Sequence, residues 1–259
     1  MTMFGAGEVS AALGDISGVF RIITKEKTGS TNTDIKLLAE EGAPEFTVVI
    51  AGEQSAGRGR LGRSFWSPPD AGIYMSILLR PELDTADALC ITTCSASAVA
   101  EAVEEVCGVS AGIKWVNDIY VAGKKICGIL TESSFAAGRL EYAVLGIGIN
   151  VADVGFPDEI KDRAGALNVG LSLRPALSAS VLEHFYGYYK ALPDKSYMDG
   201  YISRSVLTGK RIEYEKNGVL CTADVVGTDR DAHLLVKDAE GRITALASGE
   251  VNIKTPVIH

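Results

Sequence analysis

The stretch QSAGRGRLGRSFWSPP, residues 54–69, decides how the rest of this chain reads. It interleaves Arg58, Arg60 and Arg63 with Gly57, Gly59 and Gly62. Arginine presents a planar fork of donors that matches carboxylate and phosphate, and glycine lets bare backbone approach a ligand closely. The segment therefore reads as an anion-binding loop. An apolar run at 46–51 enters it as a strand, and another at 72–79 leaves it. Two phosphate motifs nearly fit: Gly57, Gly59 and Gly62 spell G-x-G-x-x-G, and the same residues read as G-x-x-x-x-G-R-S. Each requires a helix to open at once. Pro68 and Pro69 stop one, because proline removes a donor and crowds the preceding turn, and the second motif also lacks its lysine. The other alternative, a basic surface loop without a ligand, fits poorly with three arginines concentrated in an acidic chain.

The chain has 259 residues, 47% of them hydrophobic, enough to bury a sizeable core in one large or two unequal domains. A formal net charge of −8 argues against a broad nucleic-acid or membrane surface, so anion recognition has to be local. Cys90, Cys94, Cys107, Cys127 and Cys221 form no C-x-x-C pair and read as reduced, mostly buried thiols. His184, His233 and His259 are widely separated in sequence, which leaves a histidine metal site or catalytic triad little support. No apolar run approaches the ~20 residues of a membrane span, and no signal-peptide pattern opens the chain. A cytoplasmic protein is expected.

In chain order, a short helix is expected around 9–13, a strand at 19–24, and a helix after Gly29-Ser30-Thr31-Asn32, with Gly42 as its stop. Thr31 with Asp34 fits a loose capping box. A long Ala-rich helix is expected over 85–106, then β runs at 113–116, 119–121, 126–130 and 142–151, giving an antiparallel or mixed sheet with helices on one face. Pro157 is expected to begin a short helix, and 175–192 a longer one with Val181, Phe185, Tyr188 and Leu192 on one stripe. From Gly209 onward short strands recur, with Asn217-Gly218 as a hairpin turn, which suggests a small β-barrel. The expected domains are 1–207 and 208–259.

Two further clusters carry chemistry. Lys114-Trp115-Val116-Asn117-Asp118 precedes Lys124-Lys125-Ile126-Cys127-Gly128, and a hairpin turning at Gly123 would bring Asp118 to Lys125. Read blandly, that is a surface ion pair worth under about 1 kcal/mol. Gly146-Ile147-Gly148-Ile149-Asn150 sets two glycines inside a strand, which implies that something approaches the backbone there.

In this order and spacing, GSTN at 29–32, QSAGRGRLGR at 54–63, KWVND at 114–118, KKICGIL at 124–130, GIGIN at 146–150 and SGEVNIK at 248–254 resemble the biotin protein ligases. The resemblance covers nearly the whole chain. It implies an α+β fold, a mixed or antiparallel sheet with flanking helices similar to class II aminoacyl-tRNA synthetases, followed by a small SH3-like barrel. It also implies ATP-dependent formation of biotinyl-5'-AMP and transfer of biotin to a lysine of a carboxyl carrier domain, with Mg²⁺ on the phosphates. Carried over by position, Ser30, Thr31, Asn32, Gln54, Arg58, Gly59, Arg60 and Lys125 are expected at biotin. Arg58, Arg60, Lys114, Asn117, Asp118 and Asn150 are expected at ATP or the adenylate. Arg58, Lys125 and Asp118 are the expected catalytic groups, and no protein metal ligand is expected.

Departures from the family pattern are Val116, where a proline is usual, and Trp66, one place late, so that Phe65 is expected in its pocket position. A monofunctional type without a DNA-binding domain is expected. Edge strands of the sheet leave homodimerisation or acceptor docking by strand pairing open. Lipoate ligases, and a sensor that only binds the adenylate, are the rival readings.

Overall fold

The computed structural model of the chain describes residues 4–81, 88–136, 139–216 and 218–254. Its larger sheet holds β1 (Arg21–Thr28), β2 (Thr47–Gln54), β3 (Gly72–Leu79), β4 (Gly112–Lys114), β5 (Asp118–Val121), β6 (Lys124–Ala136) and β7 (Arg139–Asn150). Their order is β1-β2-β3-β7-β6-β5-β4. β1 and β2 pair in parallel, and the remaining neighbours pair antiparallel. The parallel pair is joined by the helix α2 (Thr31–Glu40), the crossover that parallel strands require.

β3 is buried along its whole length, which is why Gly72–Leu79 reads as a continuous apolar run. On one face Val48, Ile50, Ile77 and Ile147 join the main core under α1 (Ala6–Leu13), α3 (Ala88–Cys107) and α4 (Arg174–Lys190). On the other, Val49, Leu78 and Val144 meet Ile35 and Ala39 of α2. Helices thus cover both faces rather than one. A ten-residue helix is only about 15 Å long, and α2 packs on β2, β3 and β7, so part of its face stays uncovered toward β5 and β6. That gap becomes the candidate site.

Three local expectations change. Ser30, not Thr31, is the N-cap of α2, and no side-chain cap forms. The Thr31 hydroxyl turns to Gln54, while Asp34 binds Thr28 and Lys25. Residues 157–163 form hydrogen-bonded turns instead of a helix, because the chain is pulled back to the sheet: Lys125 N–H donates to Arg163 O, and Gly165 N–H to Lys125 O. Val116 lies in the turn between β4 and β5, after a cis peptide, rather than in a strand. The start of the long helix expected at residue 85 lies outside the described residues.

After α5 (Met198–Ser203) come β8 (Arg211–Lys216), β9 (Val219–Thr228), β10 (Leu234–Lys237), β11 (Ile243–Leu246) and β12 (Val251–Ile253). They form a second sheet of order β11-β10-β9-β8-β12. No pairing closes β11 onto β12 among the described residues. Lys216 pairs with Val219 where β8 meets β9, and the turn expected at Asn217-Gly218 falls on Asn217, which lies outside the described residues. Leu234, Val236 and Val251 belong to the same apolar cluster as the larger sheet, and Trp115 Nε1–H donates to Ala232 O at 2.7 Å. Among the described residues no helix is long and apolar enough to cross a membrane.

Candidate functional site

Strand register builds the floor of the site. Gly128 lies opposite Gly148, and Gly148 opposite Tyr74; Leu130 lies opposite Gly146, and Gly146 opposite Ser76. The missing side chains make room, but first for the protein itself. A β-carbon on Gly148 would run into the Phe65 ring, and one on Gly146 into the Asn32 amide. The close approach implied by GIGIN is therefore made by these two side chains. A cavity of about 240 Å³ opens above this floor.

One wall comes from α2 and β2. Thr31 and Asn32 are only 3% and 4% exposed, and Ser30 4%. Thr31 N–H donates to Gln54 Oε1 at 2.9 Å, and Gln54 Nε2 to Ser67 Oγ at 2.9 Å. Ser76 Oγ lies 2.6 Å from Asn32 Oδ1 and 2.7 Å from Thr31 Oγ1. Its single proton goes to Asn32, whose carbonyl can only accept, so Thr31 shares its own proton between Ser76 and Gln54. Asn32 Nδ2 donates to Glu132 Oε2 at 2.7 Å. This wall is a closed network with fixed amide orientations.

The arginine-glycine loop is an ordered hairpin rather than a slack segment. Gly59 N–H donates to Arg63 O and Phe65 N–H to Gly57 O, around a tip where Leu61 and Gly62 take φ 56° and 73°. Gly57 is obligatory, because a β-carbon there would meet the Phe65 carbonyl. Phe65 fills the seat over the glycines, edge-on to Tyr74, while Trp66, 43% exposed, lies on the rim. The three arginines separate. Arg58 Nη2 lies 3.2 Å from Glu132 Oε1, Arg60 donates to Asn117 Oδ1 at 2.8 Å and Gly249 O at 3.2 Å, and Arg63 forks onto Glu250 at 2.6 and 2.8 Å. Arg58 and Arg60 thus flank the cavity, while Arg63 ties the loop to the second sheet.

The opposite wall is β4 to β6. Lys125 Nζ sits 2.6 Å from Asp118 Oδ1, as the hairpin at Gly123 predicts. Burial pulls the Lys114 ammonium below its usual range, and the charges of Asp118 and Glu250 only partly restore it. Among the described residues Lys114 forms no ion pair, so a desolvated cation faces the cavity. Asn150 Nδ2 is held by Gly165 O at 2.9 Å. Asn117 is fixed by Ile129 O at 2.7 Å.

Sequence reading overlooked Ser76, Glu132 and Glu250. Glu132 had one signal, a carboxylate at an inward position two residues beyond Leu130. Glu250 had none. Also overlooked was the grouping of Asp229, Asp231 and His233, whose ligand atoms lie within 4.8 Å of one another. Their contacts are explained within the protein, since Asp229 accepts from the His233 and Asp231 backbones and Asp231 pairs with Lys195.

Residues 24–150 match the model of the biotin/lipoate A/B protein ligase family. A biotin--[acetyl-CoA-carboxylase] ligase of Mycobacterium tuberculosis is 30% identical over 254 residues, covering 92% of this chain and 91% of that protein. The chain belongs to the biotin protein ligase family. Within it, the bifunctional ligase/repressor BirA of Bacillus subtilis is 41% identical over 149 residues, 57% of this chain and 46% of that protein, so the chain spans about half the length of that relative. The biotin protein ligase of Aquifex aeolicus, solved with biotin and ATP, superposes with a TM-score of 0.75 at 29% identity, covering 90% of this chain and 98% of that one. The ligase fold accounts for the large mixed sheet with few helices. The arginine-glycine loop borders the cavity.

Proposed function

We propose that the chain activates biotin with ATP, releasing pyrophosphate and forming biotinyl-5'-AMP, and then passes biotin to a lysine of a carboxyl carrier domain of a biotin-dependent carboxylase. The observation that carries this reading is the convergence of Arg58, Arg60, Lys114 and Lys125 on one glycine-floored cavity. A carboxylate attacking the α-phosphorus brings two anions together. Fixed cations that meet the growing charge lower that barrier most in the transition state. The apolar floor and Phe65 suit biotin's ring and chain, with Ser30, Thr31, Asn32 and Gln54 offering its polar edge a preset wall, while Gly59 lets the loop backbone close in. Lys114, Asn117, Asp118 and Asn150 take the nucleotide side.

Mg²⁺ would come with the nucleotide, on its phosphates, and neutralise charge there, because Asp118 and Glu250 are already paired with Lys125 and Arg63. The mixed anhydride is water-sensitive, and the hairpin's seat over the cavity supports exclusion of water. Asp118 orients the incoming amine or takes its proton, since a lysine near pKa ~10.4 must lose one to attack.

On this reading residues 1–207 form the catalytic unit and 208–259 an SH3-like barrel unit, in a cytoplasmic protein that docks its acceptor, or a second copy, through sheet edges. The test is biotin-dependent pyrophosphate exchange followed by transfer to an acceptor domain. Exchange with lipoate in place of biotin would redirect the reading, and adenylate binding without transfer would make the chain a sensor. Lys125→Ala is expected to abolish exchange, and retained exchange would remove Lys125 from the first step.

A further inference from the structure

Glu132 belongs to no motif, yet it joins three parts of the site. It points from β6 onto the face where the cavity opens, with only 18% of its side chain exposed. Oε2 accepts from Asn32 Nδ2 at 2.7 Å, and Oε1 accepts from Lys36 Nζ at 2.7 Å while facing Arg58 Nη2 at 3.2 Å. Asn32 is a wall residue, Arg58 stands on the hairpin, and Lys36 lies one helical turn along α2. A carboxylate shielded from water and held by several donors keeps its charge. Arg58 meets it with one edge of a planar guanidinium, and that side chain is otherwise 46% exposed. The fork therefore retains donors for a second anion.

We propose that Glu132 is the positioning residue for Arg58: it holds the guanidinium over the cavity so that the free edge meets the ligand's carboxylate or phosphate, and it locks the Asn32 amide that faces the same ligand. This rests on the activation chemistry proposed above. Glu132 itself touches no reacting atom. Its role depends on negative charge at Oε1, whereas the bond to Asn32 needs only an acceptor. Glu132→Gln separates the two, because the amide can still accept from Asn32 but no longer attracts Arg58.

The experiment is biotin-dependent pyrophosphate exchange, with release of preformed adenylate, on the full chain and on Glu132→Gln, Arg58→Gln and the double variant. Glu132→Gln is expected to raise the KM for biotin and speed adenylate release about tenfold, with a much smaller change in kcat. Glu132→Asp should recover part of the loss. The double variant should be no worse than Arg58→Gln alone, because groups acting through one another are not additive. Additive losses, or an unchanged KM and release rate in Glu132→Gln, would overturn the proposal. A melting curve for each variant separates misfolding from misplacement, and if Glu132→Gln does not fold, Glu132→Asp against Arg58→Lys carries the same comparison. Absence of exchange in the unmodified chain would instead overturn the proposed function.

Discussion

A β-carbon on Gly148 would occupy the space of the Phe65 ring, whereas one on Gly187, exposed in the last turn of α4, would meet nothing within 4 Å. The two glycines should therefore respond oppositely to alanine. Gly148→Ala is expected to destabilise by about 1–3 kcal/mol through overpacking, and Gly187→Ala to stabilise by about 0.5–1 kcal/mol through helix propensity, both read from urea unfolding. Glu132 adds a pH signature. Burial pushes its carboxyl up, but the bonds from Asn32 and Lys36 and the charges of Lys36 and Arg58 outweigh that, and it titrates below its ordinary 4.5. The unfolded chain takes up this proton first as pH falls. The stabilisation is thus complete above that value and is lost as pH drops through it toward the lower folded pKa. Melting temperature followed between about pH 6 and pH 3 should fall less steeply for Glu132→Gln.

At the scale of elements, the hairpin after β2 holds its shape through its own backbone and through Phe65 seated on β7. That frame presents Arg58 and Arg60 to the cavity. Arg60 is braced from two sides, by Asn117 and by the carbonyl of Gly249, which hold its guanidinium at the edge of the cavity. If it makes a charge-assisted contact with the adenylate, Arg60→Ala should cost roughly 1.5–3 kcal/mol of retention. Stopped-flow release of biotinyl-5'-AMP would show this as a rate increase of about 10- to 100-fold, and an unchanged rate would take Arg60 out of the site. α2 contributes differently. Because it is short, it covers β2, β3 and part of β7, seats Asn32 over Gly146, and leaves the side toward β5 and β6 to the cavity.

Across the whole molecule, the second sheet completes the cavity. Gly249 and Glu250 lie 187 or more residues from the arginines they bind. The Arg63–Glu250 fork is partly exposed, at 58% and 38% for the two side chains, so its direct worth to stability is below about 1 kcal/mol. Its expected effect is on the loop. Glu250→Arg should speed adenylate loss with little change in melting temperature, and adding Arg63→Glu should restore retention by re-forming the pair with reversed signs. Failure of the double variant to recover would leave the second sheet without this tie to the hairpin.

The residue chemistry and its order along the chain were legible without a structure: guanidiniums among glycines, an ammonium beside a carboxylate across a two-residue turn, and paired glycines in a strand all act through neighbours close in sequence. Periodicity likewise placed β2, β3, α2 and α4. The turns at 157–163 escaped because a backbone pairing to Lys125, remote in sequence, pulls the chain back before a helix can extend. For the same reason only the tertiary structure decided which arginine meets which carboxylate, that Phe65 and Asn32 occupy the glycine gaps, and that Glu132 and Glu250 belong to the site. Those contacts depend on sheet register and on two sheets sharing one core, and no local pattern of side chains encodes either.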